Sequence, residues 1–352
     1  MLSVMNDTSL RGAPVDWWFM YKFPHSQVKQ KSSTPDDEGS ILSGINYLYL
    51  DSDETGGLKL SPHLLGKAAG ALYCTLDHIF SAAEKPHSKV GWVLYNDEIP
   101  DSNKNNQSKG HCKGILAFDK ETDCGIWILH STPRFPVIGN PAFPDNEHIY
   151  AQTFIGITLD SYDTACLIAT QLHHQQQPQV YAYKLSDSAA SAGEQDAIYR
   201  LCCGKGPHEG ALTSHIVFKS RGGVEFQSIA KNRHWGKDFW IDLVGPALEA
   251  DLRVETWRRG KIPGTEDIDQ SHDVQDVIGI DLSQLGISIG WHYTHDHAKW
   301  ATSEKKPAAT EPGWVCIADI NRQVSQEKRG GGSICFKEEE LWKALSSIEV
   351  FS

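Results

Sequence analysis

A histidine two residues ahead of a lysine occurs three times in the chain: His87 with Lys89, His111 with Lys113, and His297 with Lys299. In an extended backbone alternate side chains share a face, so each pair sets an imidazole beside an ammonium. The lysine supplies fixed positive charge for an anionic substrate, and the imidazole attacks or transfers a proton near its own pKa. Roughly one such triplet arises by chance among this many histidines and lysines, so the sequel to each triplet decides between them. After Lys113, Gly125 opens an apolar run and Arg134 follows it in "GIWILHSTPR"; after Lys299, Gly313 and Arg322 bracket "GWVCIADINR" at the same spacing. The two segments read as one design used twice. His87 runs directly into "VGWVLYND" and is assigned to chance. In "THDHAKW" (294–300), strand geometry would also put His295 on the face of His297 and Lys299.

The elements that must position these residues are short strands with few helices. Strands are expected at 44–51, 90–97, 113–119 and 125–131, and a helix over 160–172, where Asp160 and Ser161 precede helical apolar spacing. The polar stretches 173–179 ("HHQQQPQ") and 186–196 read as surface loops, with a boundary between halves near 175. The second half repeats the style, with strands at 214–220, 224–230, 252–259, 287–293 and 314–320 and helices over 236–251 and 337–348. Segment 98–110 is expected to be a mobile loop ahead of the first motif. Two mixed halves, 14–175 and 176–352, each carrying one His-x-Lys, make an α+β protein with approximate internal two-fold symmetry.

Composition narrows the function classes. The chain has 352 residues and a formal charge of −12, which argues against a protein that coats nucleic acid by bulk attraction. Protonating all sixteen histidines would bring the charge to +4, so anion binding is favoured in acid. No apolar run has the length of a membrane span, and no signal peptide is visible at the N-terminus. None of the eight cysteines forms a CxxC pair, which disfavours a structural zinc site; Cys316 and Cys335 flank "KRGGGS" and would close a loop in an oxidising compartment. That glycine run reads equally as a phosphate nest or a flexible turn. His292, His295, Asp296 and His297 fit no common zinc spacing, so no metal or other cofactor is expected.

Two His/Lys pairs brought together suit phosphodiester chemistry. The lysines offset charge on the non-bridging oxygens, one neutral imidazole attacks phosphorus, and the other, protonated, donates to the departing oxygen. The segments "PVDWWFMYKFP", "GHCKGILAFD", "GIWILHSTPRFP", "FQSIAKNRHWGKD", "DHAKW", "WVCIADINRQ" and "RGGGSIC" together resemble the deoxyribonuclease II family, acid endonucleases related to the phospholipase D superfamily. The resemblance runs in order from about residue 14 to 345. It implies a pseudo-dimer of two phospholipase D-like halves flanked by helices, and metal-independent cleavage of double-stranded DNA to 3′-phosphate and 5′-hydroxyl ends through a phosphohistidine.

Carried over by position, the resemblance makes His111, Lys113, His297 and Lys299 catalytic, with His130, Asp319, Asn321 and Arg322 in support. It does not say which histidine is the nucleophile. Lys231, Arg233, Lys237 and Trp300 are candidate DNA contacts, as is the group Arg253, Arg258 and Arg259, although solvated surface charge is the default for most of these cations. The superfamily's Asp after each motif lysine has no counterpart at the right distance, Asp119 lying one residue too far, so what orients each histidine is open. Of the family's disulfides only Cys316 with Cys335 is kept. The family suggests a lysosomal or secreted address, but the compartment stays open, as does a homodimer. Two other readings keep the motifs: a phospholipase D-like phosphodiesterase on another substrate, and a non-catalytic DNA-binding protein.

Overall fold

The computed structural model describes residues 1–7, 12–25, 43–54, 56–100, 102, 107–204, 210–263, 272–305 and 311–351. The expected loop at 98–110 falls partly outside them, at 101 and 103–106. The architecture is α+β and is built on two large sheets. The first runs Val180–Lys184, Gly91–Tyr95, Gly114–Asp119, Cys124–His130, Gln152–Leu159, Trp17–Lys22, Tyr47–Asp51, Lys59–Leu60, with every neighbouring pair antiparallel. The second runs Thr213–Lys219, Glu225–Lys231, Gly331–Lys337, Trp314–Ala318, Lys299–Ser303, Leu252–Thr256, Val274–Asp276, and only its last pair is parallel.

Period-two alternation divides the apolar residues into three layers. Trp17, Phe19, Tyr21, Trp127 and Leu129 face inward and pack with Phe226, Trp300, Val315, Ile317 and Phe336 of the second sheet. Trp17 meets Phe336 edge-on at 5.2 Å between ring centres. The alternate residues Trp18, Met20, Ile126 and Ile128 face outward against a helix at Ala71–Glu84. Cys316, Cys335 and Ala318 face out of the second sheet toward Trp240, Val244 and Leu248. Strands buried on both faces explain the nearly unbroken apolar runs of the sequence. Truncating one such side chain, as in Ile317→Ala, costs about 2–5 kcal/mol. Cys316 and Cys335 oppose each other in register on adjacent strands, form a disulfide, and staple the second sheet.

Several local expectations are corrected. "KRGGGS" divides: residues 328–330 close a turn, with the Arg329 N–H on the Gln326 carbonyl, and Gly331 opens the central strand Gly331–Lys337. "HHQQQPQ" is not a surface loop, because the helix Tyr162–Gln171, capped by Ser161, continues as a wider turn over Leu172–Gln176 that buries Gln175 and Gln176. The carbonyl of Gln176 wedges between Gly110 and Gly330, where a Cβ would lie 2.0 and 2.3 Å from it, so only glycine admits this contact. The stretch 186–196 holds a short helix, Asp187–Ala192, and ends in Asp196, which caps another at Ala197–Cys203. The helix expected over 236–251 is confined to Trp240–Leu248, and the strand expected at 287–293 to Gly290–His292.

Candidate active site

The two His-x-Lys segments stand at the ends of strands, one in each sheet, and each is pinned by the opposite sheet's loops. Lys113 immediately precedes Gly114–Asp119, and Lys299 begins Lys299–Ser303. The His111 backbone N–H donates to the Gly330 carbonyl at 2.8 Å, and its Nδ1 lies 2.5 Å from the Asp319 carbonyl. A carbonyl only accepts, so this contact fixes the Nδ1–H tautomer and leaves a lone pair on Nε2. On the other side, the His297 N–H donates to the Ala151 carbonyl at 2.9 Å, and the Ala151 N–H returns to His295 at 2.9 Å. His295 itself sits in a 3-10 turn at Tyr293–His295, exposed and off the strand, so the shared face expected for it is not formed.

The surroundings of the two imidazoles differ. His111 lies in a polar cage: Asp97 Oδ2 is 3.9 Å from its Nε2, while Asp97 also binds Lys113 Nζ at 2.5 Å and Arg329 Nη2 at 3.1 Å. Arg329 further donates to the carbonyls of Lys109 and Gly110, tying the second sheet's loop to the segment before His111. Lys113, His111 and Arg329 hold the buried Asp97 carboxylate well below its usual range against the opposing effect of burial. His297 lies in an aromatic cage: the Tyr150 ring stacks on it at 3.9 Å and 8°, and Trp257 leans on it at 4.1 Å. Its Nε2 is buried with no hydrogen-bond partner among the described residues.

Electrostatics join the two pairs into one site. Burial, then Lys299, Lys113 and His111, push His297 down to about 2; burial and Lys113, with smaller effects from Arg329 and Lys299, lower His111. Lys299 is buried, donates to the His297 carbonyl, and is pushed down to about 7 by burial and by Lys113. Each motif thus feels the other's lysine. A buried site crowded with cations favours an anion entering between them. His87, by contrast, is exposed in the turn after Ala71–Glu84.

Comparison with known proteins supplies the family. The profile described as Deoxyribonuclease II matches residues 7–350. A Burkholderia pseudomallei (strain K96243) protein whose name includes deoxyribonuclease-2 is 43% identical over 338 residues, covering 96% of this chain and 90% of its own. Cell death-related nuclease 6 of Caenorhabditis elegans is 33% identical, and deoxyribonuclease-2-alpha of Sus scrofa 31%, each covering 96% of this chain and 86% and 87% of its own. The chain belongs to the deoxyribonuclease II family.

Within this family member, the residues expected to support the site divide by environment. Asp319 offers its carbonyl to His111 and accepts the Gly332 N–H at 2.8 Å through Oδ1; burial pushes its carboxyl up to about 7. Asn321 is buried, and its Oδ1 has no hydrogen-bond partner among the described residues. Arg322 is held away from solvent by Asp238 at 3.2 Å and Asp276 at 2.6 Å. His130 is wholly buried against Phe135 and Phe154, its N–H donating to the Lys113 carbonyl at 3.2 Å, so it braces the first motif through the backbone. Asp119 caps the turn at 120–122 and takes no part.

Two expected DNA contacts are corrected. Lys231 is wholly buried, its ammonium donating to the carbonyls of Gln326, Glu327 and Arg329, and Trp300 is wholly buried in the central layer against Tyr21. Arg233 and Lys237 are exposed. Asp296 is occupied by the Tyr21 hydroxyl, the Trp291 N–H at 2.7 Å and the Ala298 N–H at 2.8 Å, and among the described residues no three His, Cys, Asp or Glu side chains converge as a metal site. Sequence reasoning gave no site role to Asp97, Tyr150, Trp257 and Arg329. Two carried a signal: Asp97, a carboxylate ending the apolar strand "VGWVLYND", and Arg329, which opens the singled-out "RGGGSIC".

Proposed function

We propose that this chain is an endonuclease that hydrolyses internal phosphodiester bonds of double-stranded DNA, with His111 as nucleophile and His297 as general acid and then base. The two phospholipase D-like halves, expected at 14–175 and 176–352, each lend one His-x-Lys to the site, with the boundary moved past Val180–Lys184 because that strand pairs with Gly91–Tyr95 in the first sheet. The observation that carries the assignment is the asymmetry of the cages. His111 has its Nδ1–H fixed on a carbonyl and Nε2 free to attack, whereas His297 holds an unpartnered Nε2 between two rings.

In the first step His111 Nε2 forms a bond to phosphorus, the P–O5′ bond breaks, and the proton on His297 goes to the departing 5′ oxygen. The other strand segment stays attached as a phosphohistidine through its 3′ oxygen. In the second step His297 takes a proton from water, the hydroxide displaces His111, and a 3′-phosphate leaves. Lys113 and Lys299 stabilise charge on the non-bridging oxygens, so the route assigns no step to a metal.

The pH dependence follows from His297. Burial and neighbouring cations keep it neutral in the free protein, and the phosphodiester anion raises its proton affinity on binding. Activity is highest in acid and falls as pH rises and the bound His297 loses its proton. The test is plasmid cleavage at about pH 5 in EDTA with end-group analysis. 3′-Phosphate termini are expected, and 5′-phosphate termini or dependence on added metal would contradict the reading.

A further inference from the structure

Resting on that reading, we propose that Arg259, propped on Trp257 beside His297, binds the DNA phosphate next to the scissile one. The guanidinium lies 4.4 Å from the Trp257 ring, and its Nη2 is 3.4 Å from the Tyr150 hydroxyl. Its backbone N–H donates to Gln323 Oε1 at 3.3 Å, which fixes the chain at this point. Stacking occupies the flat face of a guanidinium and leaves its edge N–H groups free to meet phosphate oxygens in pairs.

Charge pairing distinguishes this arginine from its neighbours. Arg253 faces Glu349, Arg258 faces Asp276, Arg322 faces Asp238 and Asp276, and Arg329 faces Asp97. Arg259 faces no carboxylate among the described residues and is exposed. The group of three arginines in the sequence therefore divides into two structural ion pairs and one open cation.

Position supplies the register. Trp257 and Tyr150 each touch both groups: Trp257 lies 4.1 Å from the His297 ring and 4.4 Å from the Arg259 guanidinium, and Tyr150 stacks on His297 while its hydroxyl accepts from Arg259 Nη2, so the guanidinium stands at the rim of the aromatic cage. A hydrogen bond from Arg259 spans only about 3 Å, so the exposed guanidinium meets an anion at the rim of the cage. In the proposal that anion is the phosphate next to the cleaved bond. Arg259 also contributes to the low proton affinity of His297, and a phosphate bound to it would relieve that effect during turnover.

The experiment compares two substrates. An oligonucleotide duplex carries neighbouring phosphates, and bis(p-nitrophenyl) phosphate carries one diester and none beside it. Arg259→Gln should lower the ratio of kcat/KM for the duplex to kcat/KM for the small diester about tenfold, carried by KM, and reduce the salt dependence on the duplex by about one counterion. Arg259→Lys, which keeps the charge, should restore part of the ratio. An unchanged ratio, with both substrates losing equally or neither changing, would overturn the proposal, since Arg259 would then act on the scissile group or not at all. Failure of the unmodified protein on both substrates would overturn the hydrolytic reading, and this one with it.

Discussion

The two His-x-Lys segments share a sequence pattern and differ in what surrounds them. His111 stands among Asp97, Arg329 and the Asp319 carbonyl, and His297 stands between Tyr150 and Trp257. The shared part extends further than the motif. Arg134 after the first segment bridges Glu98 and Glu147, and Arg322 after the second bridges Asp238 and Asp276, so both halves brace the post-motif strand with an arginine between two carboxylates. We read the bracing as a repeated design, and in the proposed mechanism the unlike cages divide the labour: a carbonyl and a carboxylate orient a lone pair on His111, while stacked rings hold His297 in place without consuming its Nε2.

The largest expected effects separate the two histidines by step. His111→Ala and His297→Ala should each lower DNA cleavage by about a thousandfold or more. On bis(p-nitrophenyl) phosphate, whose leaving group needs no proton, His297→Ala should still release one equivalent of nitrophenol in a burst, and His111→Ala should show none. Equal loss of the burst in both variants would erase the assignment.

Next in size is the polar cage. Asp97→Asn leaves buried Lys113 and Arg329 without their carboxylate, and should cost about 3–5 kcal/mol of stability in denaturant unfolding and about a hundredfold in kcat. A variant as stable and active as the parent would mean that His111 is oriented by the Asp319 carbonyl alone.

These cages show what the sequence does and does not reveal. The His-x-Lys pairs and the repeated glycine-to-arginine spacing are local, and local spacing survives without coordinates. Asp97 meets Arg329 across 232 positions, and Tyr150 reaches His297 from the segment before Gln152–Leu159 of the other sheet, so no window of sequence contains either contact. Trp17–Lys22 gave no alternation to read because it is buried on both faces. The helix Ala71–Glu84 starts after Gly70 with no side-chain cap, which removes the usual start signal. The glycines of "KRGGGS" mark close approach to Gln176 and Asp319, a reason invisible until the strand is placed.

The smallest effect concerns the aromatic cage and pH. His297 is depressed to about 2 in the folded chain, below its unfolded value, so the unfolded chain takes up the proton first as pH falls. Stability contributed by the neutral imidazole is present above about pH 6.5 and is lost progressively below it. His297→Phe, which keeps a ring between Tyr150 and Trp257, should therefore gain on the parent in acid, by about 1–2 kcal/mol at about pH 5 relative to about pH 7. A stability difference independent of pH would show that the cage tolerates the charged imidazole.

The most direct test of the central claim is to trap the covalent intermediate. Duplex DNA labelled at the scissile phosphate is mixed with the protein, quenched in alkali where phosphohistidine survives, and digested to peptides. The label is expected on the peptide containing His111. Label on the peptide containing His297 would reverse the roles, and cleavage with no labelled peptide at any quench time would contradict a covalent route.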